Sequence, residues 1–200
     1  MRDPANAAKL APLKKAYGDE LFSKVELVKA DLLDADSLDQ AIAGTDYVVH
    51  TASPLPVKAP ADENEVIKPA LEGTLSVMRA AHKHHVKRVV VTSSGLTIMM
   101  RKPDNRKQVY NEDDWSDLEV LGTYEKSKLL AEKAAWDFQK ALPEAERFEL
   151  VVVIPSLVQG PSILDQAEFS SANYMKMMML GLMPGLPKLM FPVVDVRQVV

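Results

Sequence analysis

The chain of 200 residues contains no cysteine. This excludes disulfides, thiolate catalysis and cysteine-based metal sites, and it suits a reducing compartment, so cytoplasmic residence is the expectation. No run comes near the roughly 18 consecutive apolar residues that a membrane span needs. The N-terminus, with Asp3 and Lys9 around a short alanine-rich stretch, lacks the apolar segment of a signal peptide. Charge of one sign is missing too: 24 basic and 28 acidic residues are interspersed and leave a net charge of −4. Neither nucleic acid nor an anionic membrane is expected as a partner. The eight glycines, at 18, 44, 73, 95, 122, 160, 181 and 185, never form G-x-x-G-x-x-G, and no apolar strand precedes residue 20. The sequence therefore shows no glycine-rich turn of the kind whose amides cradle phosphates at a helix N-terminus.

What is present is ample for a core. At 47% hydrophobic residues, a compact chain of this length buries about 70% of its unfolded surface. Strand and helix signals alternate, as an α/β protein requires. The pattern predicts a helix over 5–17 closed by Gly18, a strand over 25–30, and a short helix over 37–43 capped by Ser37 and ended by Gly44. It continues with a strand over 47–50, a proline-rich loop over 51–62 that includes Pro56, and a long helix over 65–85 entered at Pro69. A strand over 88–92, a polar loop over 104–117, a helix over 123–140 and a strand over 149–154 follow, before a less regular end.

The stretch Tyr124-Glu125-Lys126-Ser127-Lys128 carries the clearest chemistry. Residues at i and i+4 share a helical face, so the Lys128 ammonium is placed near the Tyr124 phenol. Moving a phenol from its usual pKa near 10 to about 7 requires roughly 4 kcal/mol of preference for phenolate. An ammonium about 5 Å away supplies about 3 kcal/mol at an effective dielectric near 20. Such a pair is suited to act as a general acid at a carbonyl, with a serine hydroxyl to hold the oxygen. Taken alone, Tyr-x-x-x-Lys also describes an ordinary exposed helix. Here it lies downstream of the apolar run Val89-Val90-Val91, which ends in Thr92-Ser93-Ser94.

Seven motifs occur in a familiar order: Arg2-Asp3-Pro4, Ala30-Asp31-Leu32, His50-Thr51-Ala52-Ser53-Pro54, Val91-Thr92-Ser93-Ser94, Tyr124-x-x-x-Lys128, Ile154-Pro155-Ser156-Leu157-Val158 and Val194-Asp195-Val196-Arg197. From Arg2 to Val200 the chain resembles the extended short-chain dehydrogenase/reductases, within the NAD-dependent epimerase/dehydratase superfamily. The branch that contains dihydroflavonol reductases and cinnamoyl-CoA reductases is the most similar. The resemblance implies an α/β fold, an incomplete NAD(P)-binding Rossmann fold whose doubly wound parallel sheet lacks its first βαβ unit. Residues 1–160 are expected to form a partial NADP-binding domain and 161–200 a partial substrate-binding lobe. In that frame the strands over 25–30 and 47–50 lose their central neighbours, and uncovered edges invite pairing with another chain.

The resemblance also assigns residues. Catalysis falls to Ser94, Tyr124 and Lys128, with Ser93 as the alternative serine. Arg2 is expected to bind the 2′-phosphate of NADP with help from Lys9, although a solvated terminal arginine is the plain alternative. Asp31 and Leu32 match the pair that meets the adenine, and Asp31 serves equally well to cap the turn into Asp34. Thr51, Ala52 and Ser53 match a loop whose backbone passes the cofactor closely, which small residues permit. Tyr124 and Lys128 also touch the cofactor, and Pro155 and Val158 match residues beside the nicotinamide. The implied function is NADPH-dependent reduction of an aldehyde or ketone. Two alternatives stand: an inactive, truncated member that self-associates or pairs with a full-length homologue, and a sugar-nucleotide epimerase or dehydratase. The segment Val120-Leu121-Gly122-Thr123-Tyr124 lacks the Asn-Trp-Tyr signature of many cinnamoyl-CoA reductases, which argues against that substrate.

Other features are weaker. The helix over 65–85 holds no asparagine of the kind that relays protons in many reductases of the superfamily. His82, His84 and His85 have no acid or cysteine nearby in sequence to complete a typical metal site, and no metal is expected. The methionines at 175, 177, 178, 179, 183 and 190 suit either an adaptable apolar pocket or ordinary packing. Asp113, Asp114 and Trp115 resemble a loop that flanks the family's active site.

Overall fold

The computed structural model describes residues 1–55, 60–161, 170–183, 185 and 192–200. Pro56, Met190 and much of the expected 161–200 lobe lie outside the described residues. The chain divides into two units, one of Met1–Arg2 with Val28–Ile154 and one of Asp3–Leu27 with Pro155–Val200.

The first unit is built on three parallel strands, β1 (Tyr47–His50), β2 (Arg88–Thr92) and β3 (Glu149–Val153), in the order β1-β2-β3. Tyr47 lies opposite Arg88, and Arg88 opposite Glu149. Parallel neighbours require long crossovers, and helices supply them. Helix α2 (Ala35–Ile42) precedes β1, α3 (Asn64–Lys83) joins β1 to β2, and the short α4 (Leu96–Met99) and α5 (Thr123–Ala141) lie between β2 and β3. The valines of 88–92 are buried on alternate positions, as a half-covered strand demands. Val89 and Val91 pack with Leu38 and Ile42 of α2, Val77, Met78 and Ala81 of α3, Ala135 of α5, and Phe148 and Leu150. Helices α3 and α5 also pack against each other.

Several local expectations are corrected. The strand over 25–30 does not form. Its apolar alternation is suitable, but a strand needs a hydrogen-bonding neighbour, and among the described residues Val28 O and Ala30 N–H are paired only with the N and O of Met1. Helix α2 is capped by the Asp34 side chain, which accepts from Ser37 N–H at 3.0 Å, rather than by Ser37. Pro69 lies inside α3, not at its start. Helix α3 ends at Lys83, and His85 takes a left-handed φ of 53° beyond it.

Gly73 of α3 is a packing requirement. A Cβ there would lie 2.7 Å from Leu32 Cδ2 and 2.9 Å from Leu32 Cβ, so the helix and the 31–34 turn touch through a missing side chain. Overpacking costs about 1–3 kcal/mol, which exceeds the roughly 1 kcal/mol of helix propensity that alanine gains over glycine. Gly73→Ala is therefore expected to lower the denaturant midpoint, as a urea titration would read directly.

In the second unit, the helical segment α1 (Ala7–Phe22) is interrupted at Gly18, whose non-helical φ of 72° and ψ of 163° close the first helical stretch there, as expected, before a second one runs on to Phe22. Strand β4 (Leu157–Gln159) pairs in parallel with β5 (Val193–Asp195), and α6 (Ser170–Met179) and α7 (Val196–Val199) complete it. Met175, Met177, Met178 and Met179 are exposed.

Candidate active site

Strand β2 ends at Thr92 and passes the chain to two serines with different surroundings. The Ser93 N–H extends the pairing with β3 by donating to Val153 O at 2.9 Å, and its hydroxyl donates to Glu132 Oε2. Ser94 is also buried, but its hydroxyl oxygen only accepts from Leu96 N–H at 3.3 Å. Its hydroxyl proton has no acceptor among the described residues. Of the two, Ser94 is therefore the hydroxyl left uncommitted.

Helix α5 presents Tyr124, Lys128 and Glu132 at successive i+4 positions, and hence on one face. Lys128 is 9% exposed, and its Nζ donates to the backbone carbonyl of Thr92 at 3.0 Å. No carboxylate lies within ion-pair distance of it among the described residues. Burial holds the Lys128 pKa below the usual lysine value, and the charge of Glu132 pulls it back up. Tyr124 is partly buried, and its hydroxyl makes no hydrogen bond among the described residues. Burial pushes its phenol above the usual value, and Glu125 adds to the rise. The expected lowering by Lys128 is not seen: burial first, and Glu125 second, set the direction.

Two cavities of this unit are lined by residues that the sequence singles out. An open groove of about 910 Å³ is lined by Arg2, Asp31, Leu32, Ala52 and Ser53, with Pro54, Glu65 and Pro69 among others. A cavity of about 10 Å³ lies between His50, Thr74, Ser93, Lys128 and Glu132, and shares Ala52 and Ser53 with the groove. It has room for about one water molecule. The sequence-predicted residues are thus partly gathered: Arg2, Asp31, Leu32, Ala52 and Ser53 share one groove, and Lys128 shares two of its wall residues. Thr51 is exposed and lines neither cavity, and Lys9, Pro155 and Val158 belong to the second unit.

Asp31 keeps both readings. Its carboxylate accepts from Leu33 N–H at 3.0 Å, which forms the turn, while the residue lines the groove. Arg2 is exposed, and its guanidinium has no ion-pair partner among the described residues. Groove size, a free cation at the rim and small residues along the wall fit the adenosine end of a phosphorylated dinucleotide. The pyrophosphate finds no glycine turn in this sequence.

Residues that sequence reasoning missed are His50, Thr74, Thr97 and Glu132. His50 Nε2 and Thr74 Oγ1 are 3.1 Å apart, and Thr97 Oγ1 donates to Glu132 Oε2 at 3.0 Å. A carboxylate one turn beyond Lys128 was the available signal for Glu132. In the loop before α5, Asp114 accepts from Arg101 Nη2 at 2.8 Å, Lys107 Nζ at 2.5 Å and Asn111 N–H at 3.1 Å. The Lys107 hydrogen bond first, then that of Asn111, hold its carboxyl below the usual range. Trp115 packs under Lys133, with Nζ 4.9 Å from the ring centre. His82 and His84 face Glu146 and Asp39, each at 2.9 Å, and no group of three metal-ligating side chains occurs among the described residues. No helix among them is long and apolar enough to cross a membrane.

Comparison with known proteins follows the same lines. The profile of the NAD dependent epimerase/dehydratase family matches residues 2–192. The tetraketide alpha-pyrone reductase 1 of Arabidopsis thaliana is 42% identical over 168 residues, covering 82% of this chain and 50% of that protein. The dihydroflavonol 4-reductase of Medicago sativa is 36% identical over 172 residues, covering 82% of this chain and 76% of that protein. Among solved structures, yeast methylglyoxal/isovaleraldehyde reductase Gre2 complexed with NADPH superposes with a TM-score of 0.80 at 28% identity. That match covers 100% of this chain and 63% of the yeast chain. The chain thus spans about half the length of the Arabidopsis relative.

Proposed function

The chain belongs to the NAD dependent epimerase/dehydratase family, and on that premise we propose that it acts as an NADPH-dependent reductase of an aldehyde or ketone. The observation that carries this reading is the hydrogen bond from Lys128 Nζ to Thr92 O. It ties the helix that bears Tyr124 to the end of the strand that leads into Ser94. The reductases among its relatives and the NADPH-bound structural neighbour support the same reaction class.

In this reading Ser94, with its proton uncommitted, donates to the carbonyl oxygen and orients it. Tyr124 gives that oxygen its proton, and Lys128 supplies the positive charge that makes the phenol a better acid and also holds the ribose. When bound, the cofactor supplies the hydride that adds to the carbonyl carbon. Arg2 would take the 2′-phosphate with help from Lys9, Asp31 and Leu32 would meet the adenine, and Thr51, Ala52 and Ser53 would line its path. Pro155 and Val158 keep the place beside the nicotinamide that the family pattern gives them.

A second reading is supported by β1. It has no strand on its outer side among the described residues, and Tyr47 and Val49 on one of its faces are 63% and 67% exposed. An open edge with an apolar face suits pairing with another chain.

Titration calorimetry with NADPH, followed by NADPH consumption with a panel of aldehydes and ketones, tests the first reading. Binding is expected, and Arg2→Ala is expected to weaken NADPH about tenfold to hundredfold while leaving NADH unaffected, as loss of a charge-assisted hydrogen bond implies. A folded chain that binds no NADPH and consumes none with any carbonyl would sink the reductase reading. A concentration-dependent sedimentation coefficient would then favour the second.

A further inference from the structure

Two buried carboxylates, Asp114 and Glu132, have no task in the proposed reaction; Asp114 is paired with Arg101 and Lys107, whereas Glu132 has no ion-pair partner among the described residues. It is 3% exposed, on a helix face shared with Lys128, itself 9% exposed. Its Oε2 accepts from the Ser93 hydroxyl and lies 3.0 Å from Thr97 Oγ1, whose single proton is shared between that oxygen and Ser94 O at 2.8 Å. Glu132, Ser93, Lys128 and His50 line one cavity of about 10 Å³. A carboxylate seldom stands in such a place without a compensating charge.

We propose that Glu132 is the positioning residue of this site: its carboxylate draws the Ser93 hydroxyl inward, leaving Ser94 as the free hydroxyl, and supplies the negative charge that keeps the Lys128 ammonium in its buried seat. This rests on the reductase reading for its purpose, but not for its geometry. Glu132 acts through its neighbours; it is a full helical turn from Lys128 and makes no ion pair with it.

The local charges are consistent with this. Burial disfavours the Lys128 ammonium, and Glu132 is the group that opposes the effect. The other titratable groups nearby do not replace it. His50 is held neutral, chiefly by burial and then by Lys128, with a pKa of about 4. Tyr124 is held in its neutral phenol form by burial first and by the charge of Glu125 second. Loss of the Glu132 charge would leave a buried lysine with no compensating charge in its cluster.

Glu132→Gln removes the charge and keeps an oxygen that can accept from Ser93 and Thr97. The test is an NMR titration of the full chain with isotope-labelled lysine, in which the Lys128 signal is the one missing from Lys128→Arg. In Glu132→Gln that signal is expected to titrate at lower pH than in the parent chain. Identical titration in the two proteins overturns the proposal. Should Glu132→Gln be too unstable to titrate, Lys128→Met is added to it. Recovery of cooperative unfolding in the double variant supports a charge coupling, and failure to recover assigns Glu132 a packing role and overturns it. Neither readout uses NADPH or substrate. A chain without reductase activity can still pass this test, and an active one can fail it.

Discussion

Tyr124→Phe is expected to lower the turnover of carbonyl reduction by about two to four orders of magnitude, the usual contribution of a positioned acid, with NADPH affinity weakened by no more than about tenfold, the worth of one neutral hydrogen bond. The ring of Tyr124 packs at the start of α5, and phenylalanine fills the same volume. The hydroxyl holds no hydrogen bond among the described residues, so its removal breaks nothing in the fold and leaves no partner unsatisfied. What is lost is a proton source. The phenol lies above its usual pKa because burial, and then Glu125, disfavour the phenolate. The neutral form therefore prevails at neutral pH, which is the form an acid must have before it reacts. Giving up the proton then requires positive charge nearby, and Lys128 is the cation on the same helical face. The loss should fall on kcat, since the interaction develops as the oxygen gains charge. Steady-state kinetics on any carbonyl that the parent chain reduces would decide it. A variant within a few fold of the parent would remove Tyr124 from the chemistry and leave Ser94 and Lys128 without an acid.

Stability is expected to fall by about 3 kcal/mol as pH drops from 6.5 to about 4, through His50 alone. The residue is 7% exposed, and its ring meets Thr74 Oγ1 at 3.1 Å. Burial first, and Lys128 second, lower its pKa from 6.5 to about 4. In the unfolded chain the imidazole takes up a proton near 6.5, whereas the folded protein resists until about 4. Between those values the unfolded state binds more protons, so unfolding becomes easier as the solution is acidified. Above pH 6.5 both states are neutral and the slope vanishes. The effect is a large fraction of the 5–15 kcal/mol typical of a domain. Urea unfolding at a series of pH values should show the slope in the parent chain and its loss from this window in His50→Gln. Equal slopes in the two proteins would mean that the buried imidazole is protonated as easily as a free one.

The sheet was legible because its strands are short valine-rich runs, with buried alternation in β2, and all three appear where the pattern puts them. The segment 25–30 has similar composition and fails, since composition reports the preference of a chain for extension but not the presence of a neighbour to bond. Cap positions slipped for a related reason. Both Asp34 and Ser37 are good N-cap residues, and which one caps depends on where the helix finds its packing against α3. The Tyr124–Lys128 spacing announced a shared helical face, and Ser94 stood out as the last hydroxyl before the strand gives way to Gly95. Neither could show that the ammonium is bound to a peptide carbonyl, or that Ser93 is engaged by Glu132. Those contacts join residues 36 and 39 positions apart, and only the fold brings them together. The groove is a mixed case. Arg2, Asp31, Leu32, Ala52 and Ser53 do meet, while Thr51 lines neither cavity.

The seat of Lys128 is a main-chain oxygen at residue 92, and this gives the site a form of mutational robustness. A side-chain acceptor can be lost in one substitution, but every amino acid at position 92 carries the same carbonyl in the same place at the end of β2. Drift at this position is therefore silent for the lysine so long as the strand stays paired with β3. The vulnerability moves from the identity of one residue to the register of a sheet, where changes at Val89 or Leu150 could unseat an ammonium they never touch.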